Sequence, residues 1–167
     1  MHFQYYKCLL LFYLGVNCSG VTELTAYSKI QYLTTPNYPH FYTSHLSCSW
    51  LIKSGSRSGK LYLDVRDSDI EYSVGCMKDY AELYLGTDRK ADIFSRWCGG
   101  TRRKFYTYHA SLFIHFHSDA SLTGRGFQLS YYMGSPSAAC REKTSLTAVR
   151  HEWQDFSSPF YPTVYEG

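Results

Sequence analysis

Three acids and two histidines are the residues of this chain whose types and spacing could support chemistry. Glu71 and Asp79 stand on either side of Cys76, and Asp119 lies in the string Ser118-Asp119-Ala120-Ser121-Leu122-Thr123-Gly124-Arg125-Gly126-Phe127. Carboxylates gathered at one point repel one another unless a cation sits between them. Calcium suits such a point, since it takes about 6–8 hard oxygen ligands at about 2.3–2.6 Å. Spacing alone leaves the three as unrelated loop acids, the usual condition of surface Asp and Glu. His115-x-His117 puts two imidazoles on one face of a strand, as some zinc sites do, but no third ligand lies near them in the chain. Leu112, Ile114 and Phe116 alternate with them as a core face, so both histidines are expected to point outward.

Signals for catalysis are missing. The chain has no His-Glu-x-x-His zinc signature and no Gly-x-Ser-x-Gly elbow, and Gly124-Arg125-Gly126 lacks the strand-to-helix setting of a phosphate loop. The expectation is therefore a non-enzyme. Arg102-Arg103-Lys104 is the basic cluster of the chain, and three charges between turn residues and a strand read as a solvated loop. With 17 basic and 14 acidic residues the charge is close to balanced, which argues against nucleic acid as a partner.

The elements that must position these residues have period two. Leu61-Tyr62-Leu63-Asp64-Val65, Ala81-Glu82-Leu83-Tyr84-Leu85, Leu112-Phe113-Ile114-His115-Phe116-His117 and Phe127-Gln128-Leu129-Ser130-Tyr131-Tyr132 alternate, and Gly55, Gly59, Gly86, Gly99-Gly100 and Gly124 to Gly126 separate them. No stretch holds a helical period, and the 17 tyrosines and 10 phenylalanines suit pleated surfaces. Many short strands at this spacing predict an all-β sandwich or barrel.

Residues 1–17 read as a secretory signal. Lys7 supplies the positive start, and Cys8 to Val16 form an apolar run too short to span a bilayer. No other segment is apolar enough to cross a membrane, so a secreted, extracellular chain is expected. Six cysteines then imply a disulfide framework. Cys8 falls within the signal, which leaves Cys18, Cys48, Cys76, Cys98 and Cys140, an odd set. Asn17-Cys18-Ser19 fits a glycosylation acceptor but sits at the expected cleavage point and is discounted.

The chain also repeats its own beginning. Cys18 followed by Leu24-Thr25-Ala26 returns as Cys140 followed by Leu146-Thr147-Ala148. Thr35-Pro36-Asn37-Tyr38-Pro39 with Tyr42 returns as Ser158-Pro159-Phe160-Tyr161-Pro162 with Tyr165. This places one module over residues 18–133, a linker over 134–139, and the start of a second module over 140–167. The second copy stops before its counterpart of Cys48, so Cys140 is expected to lack a partner here. The repeat also argues that Cys18 is kept, with signal cleavage before it.

Taken in order, these landmarks resemble a CUB domain along nearly all of residues 18–133. Thr35-Pro36-Asn37-Tyr38-Pro39 with Tyr42 looks like the family's Ser-Pro-Asn-Tyr-Pro element, and Cys48-Ser49-Trp50 like its Cys-x-Trp. Leu61 to Val65, Ile70-Glu71, Cys76 with Asp79-Tyr80, Trp97-Cys98-Gly99, and Phe116 through Phe127 follow at family-like spacings. Tyr84-Leu85-Gly86 departs from the Asp-Gly often found there, which affects a turn.

The resemblance implies a two-sheet, jelly-roll-like antiparallel β-sandwich with bridges Cys18–Cys48 and Cys76–Cys98. It also implies a calcium site built from Glu71, Asp79 and Asp119 with the carbonyls of Ser121 and Leu122, and Tyr42 packed beside it with its hydroxyl near Glu71. At such a site a lysine or arginine of an extracellular protein partner docks against Tyr42, Glu71 and Asp79. The function implied is calcium-dependent protein binding by a non-catalytic module. Its rivals are the recognition region of a secreted protease and a lectin-like role toward glycan or lipid.

Overall fold

The computed structural model describes residues 18–56 and 59–134. The expected signal (1–17), the rest of the linker, the start of a second module (140–167) and Cys140 lie outside the described residues.

The described chain forms nine strands: β1 (Val21–Ala26), β2 (Gln31–Thr34), β3 (Ser47–Ser54), β4 (Lys60–Asp69), β5 (Tyr80–Tyr84), β6 (Ile93–Trp97), β7 (Lys104–Thr107), β8 (Ser111–His117) and β9 (Gly126–Gly134). They make a five-stranded sheet, ordered β1-β3-β8-β5-β6, and a four-stranded sheet, ordered β2-β9-β4-β7. Strand pairing is antiparallel except that β1 runs parallel to β3. A parallel pair needs a long crossover. Residues 27–46 supply it, visiting the other sheet as β2 on the way. The Cys18–Cys48 bridge ties the starts of the two parallel strands together.

The period-two segments of the sequence become β4, β5, β8 and β9, and alternation decides which side chains meet between the sheets. Trp50 and Ile52 of β3, Ala81 and Leu83 of β5, and Leu112, Ile114 and Phe116 of β8 face inward from one sheet. Leu61, Leu63 and Val65 of β4 and Phe127, Leu129 and Tyr131 of β9 face them from the other. β9 continues through Gly134, which pairs with Lys60.

The outer face of the five-stranded sheet is less exposed than alternation suggests. Leu51, Tyr84 and Phe113 form a second apolar cluster there, with Ala91 of the β5–β6 turn folded back against them. The histidines take the outward side that alternation assigns them, but that side is not all solvent. His115 does lie on the outer face, but it is buried, with only 3% of its surface exposed.

Two glycines bring the site-bearing loop down onto the sandwich. A Cβ on Gly124 would lie 2.1 Å from the carbonyl oxygen of Asp69, and one on Gly126 would lie 1.9 Å from Thr35 Oγ1. Gly126 also has a φ of +83°, a region that side-chain-bearing residues rarely enter. The close approach lets the Gly124 carbonyl accept the Tyr42 backbone N–H at 2.9 Å.

Candidate functional site

At one end of the sandwich, two loops converge on Tyr42. The loop after β4 carries Glu71, the residue before β5 is Asp79, and the loop after β8 carries Asp119 and Ser121. Tyr42 is buried, its ring edge-on to Phe116 at 5.1 Å. Its hydroxyl donates to Asp79 Oδ2 at 2.6 Å and accepts the Glu71 backbone N–H at 3.1 Å. Burial, and then the Asp79 carboxylate, raise the Tyr42 hydroxyl well above the usual tyrosine range, so it remains a donor.

Asp79 is fully buried, and its second oxygen accepts the Asp119 backbone N–H at 2.7 Å. Asp119 Oδ1 accepts the backbone N–H and the hydroxyl of Ser121, each at 2.6 Å. Those two hydrogen bonds lower the Asp119 carboxyl below its ordinary range. The Ser121 hydroxyl oxygen also lies 3.1 Å from Glu71 Oε2, so its single proton has two acceptors to choose between. Carboxylate oxygens of Glu71, Asp79 and Asp119 all lie within 4.8 Å of one another. Among the described residues this is the one group of three or more His, Cys, Asp or Glu side chains placed to hold a metal ion. Leu122 follows on the same loop and is 71% exposed.

The Cys76–Cys98 bridge anchors this construction. Cys76 sits in the loop between Glu71 and Asp79, inside a short 3₁₀ turn (Val74–Cys76), and Cys98 directly follows β6. Ser73 Oγ accepts the backbone N–H groups of Met77 and Lys78 at 2.9 and 3.1 Å, closing the same loop.

Lys78 is a site residue that pattern reading does not single out. Its ammonium is bonded to Glu71 Oε1, and that contact raises the lysine pKa. A lone lysine beside Asp79 carries no signal in a sequence, because its partner is fixed by the fold of the loop.

The sequence of the described residues matches the CUB domain model over residues 18–131. The chain belongs to the CUB domain family. CUB domains are non-catalytic, extracellular protein-interaction modules, and residues 18–131 form one. Mouse Tolloid-like protein 2 is 37% identical over 97 residues, covering 58% of this chain and 10% of that protein. Human cubilin is 31% identical over 116 residues, covering 68% of this chain and 3% of its own length. The chain therefore spans a tenth or less of these relatives. Among solved structures, the MASP-1 CUB2 domain bound to Ca2+ superposes with a TM-score of 0.55 at 27% identity, over 65% of this chain and 96% of that one. No helix among the described residues is long and apolar enough to cross a membrane.

A second polar group lies away from this end, on the outer face of the five-stranded sheet. Register places Ser49, His115, Glu82 and Arg96 side by side across β3, β8, β5 and β6. Glu82 is buried, accepts from the Tyr84 hydroxyl at 2.5 Å and from Arg96 Nε at 2.9 Å, and has Arg89 at 3.9 Å. Burial pushes its carboxyl up, but the Tyr84 hydroxyl and the two guanidinium groups outweigh that and hold it below the usual range. Ser49 Oγ lies 3.1 Å from His115 Nδ1. Burial, then Arg89, push His115 down to about 4.

Proposed function

We propose that this CUB module binds extracellular proteins in a calcium-dependent way, with the ion held at the end of the sandwich where Tyr42 is buried. The observation that carries the reading is the gathering of Glu71, Asp79 and Asp119 oxygens within 4.8 Å. The donor set fits calcium, being made of hard oxygens, with the backbone N–H groups of Asp119 and Ser121 and the hydroxyls of Tyr42 and Ser121 already orienting the Asp79 and Asp119 carboxylates. Glu71, Asp79 and Asp119 would supply carboxylate oxygens, and the carbonyls of Ser121 and Leu122 would add to the shell. The ion would neutralise the acids and order the two loops that carry them. A lysine or arginine of the partner then docks beside Tyr42, Glu71 and Asp79, through charge-assisted hydrogen bonds.

Two disulfides among the described residues support an oxidising, extracellular setting. The internal repeat supports reading residues 1–17 as a signal, 18–133 as the module, 134–139 as linker and 140–167 as the opening of a second copy, in which Cys140 would be the counterpart of Cys18.

Calcium added to chelator-treated protein is expected to raise its melting temperature, and Asp119→Ala to abolish the gain. Partner binding should be lost in chelator. A melting curve unchanged by excess calcium overturns the reading.

A further inference from the structure

Glu71 poses an electrostatic problem that the chain itself answers. Its side chain is only 5% exposed, and it stands within 4.8 Å of the buried Asp79 and of Asp119. Three carboxylates at that spacing repel, and burial strengthens the repulsion. The ammonium of Lys78 lies against Glu71 Oε1, while the lysine side chain as a whole is 47% exposed and so has water into which it can swing. The lysine backbone, by contrast, is held. Its N–H is bonded to Ser73 Oγ, and the bridged Cys76 lies two residues before it. A long, mobile side chain on a fixed root can place its charge in the cluster or remove it without disturbing the loop.

We propose that Lys78 is an internal counter-ion of the metal site. Its ammonium neutralises Glu71 and keeps the three acids together before calcium arrives, and calcium binds by displacing it. The inference rests on the calcium reading above and adds a consequence that reading does not contain. Calcium must expel a competing cation, so the lysine weakens calcium binding while it stabilises the calcium-free module. A divalent ion and an ammonium on one carboxylate repel, and screening leaves an effect on affinity of about three- to tenfold.

The test is a calorimetric calcium titration of the chelator-treated full chain and of Lys78→Met, Lys78→Arg and Lys29→Met, with melting curves in chelator and in saturating calcium. Lys29, exposed between β1 and β2, controls for removing one positive charge anywhere on the surface. Lys78→Met is expected to bind calcium about three- to tenfold more tightly than the parent. It should melt lower in chelator, and level with the parent when calcium is saturating. Lys78→Arg should stay near the parent, and Lys29→Met should change affinity less than about twofold, as a distant screened charge does. If the parent binds calcium but Lys78→Met binds no more tightly, or no more tightly than Lys29→Met, the counter-ion role is overturned and the calcium reading stands. If neither the parent nor any variant binds calcium, the calcium reading itself fails.

Discussion

The hydroxyl of Tyr42 donates to Asp79 across 2.6 Å and at the same time accepts the backbone N–H of Glu71, joining two of the three acids through one buried side chain. Asp79 has no exposed surface, so each of its hydrogen bonds replaces water that cannot reach it. Removing one leaves a desolvated oxygen without a donor. Tyr42→Phe is therefore expected to lower stability by about 1–3 kcal/mol, read by urea unfolding, and to weaken calcium binding. An unfolding midpoint equal to the parent's would show that the hydroxyl has no structural role.

The bridge between Cys76 and Cys98 closes 22 residues and fixes the loop that runs from Glu71 to Asp79. Replacing both cysteines by alanine should cost about 3–4 kcal/mol on a loop-entropy account. The same change should weaken calcium binding, since the loop that presents two of the acids loses its anchor. Calcium titration of the double variant, at a temperature where it is still folded, measures the second effect separately from the first.

Arg96 pairs with a Glu82 carboxylate that is almost fully buried. Breaking a buried pair by removing one partner is strongly destabilising, and Arg96→Ala should cost about 2–4 kcal/mol at neutral pH, with Arg89 and the Tyr84 hydroxyl remaining to soften the loss. The folded carboxyl titrates below its unfolded value, so its contribution is present above the unfolded pKa and disappears as pH falls through the folded one. The gap between parent and variant should accordingly narrow in acid. A gap that stays constant from neutral pH into acid would exclude a charged Glu82 as its source.

His115 has the opposite kind of group but the same direction of pH dependence. Its folded pKa is pushed down to about 4, against about 6.5 in an unfolded chain. As pH drops from about 6.5 to 4, the unfolded chain takes up a proton that the folded one refuses, and stability falls by at most about 3 kcal/mol. His115→Gln removes that proton uptake. Stability measured by urea unfolding should be flatter for the variant than for the parent across this window, and parallel curves would place the pH dependence elsewhere.

Much of the architecture could be read from residues alone, because a pleated strand writes its period into its side chains. Leu61 to Val65, Ala81 to Tyr84, Leu112 to His117 and Phe127 to Tyr132 each lie in a strand, and one alternate set of their apolar residues faces the core, while Tyr84 and Phe113 pack on the outer face. The parallel pairing of β1 with β3 was not legible, since alternation identifies a strand but not its neighbour or direction. Alternation also assigns a side chain to a face without saying what covers that face. His115 and Glu82 both sit on the outer side of their sheet, and both are buried there, with Ala91 and Arg89 of the β5–β6 turn folded back over that face.

The sequence by itself determined that this chain builds a disulfide-locked, all-β module of CUB type, since period, cysteines and ordered motifs are local properties. It could name Glu71, Asp79 and Asp119 but not their distances. Only the tertiary structure decided that the Tyr42 hydroxyl bonds the buried Asp79 and that Lys78 turns its charge onto Glu71. Such meetings depend on where loops separated by tens of residues are brought by sheet register, backbone turns and a bridge, and no local pattern encodes them.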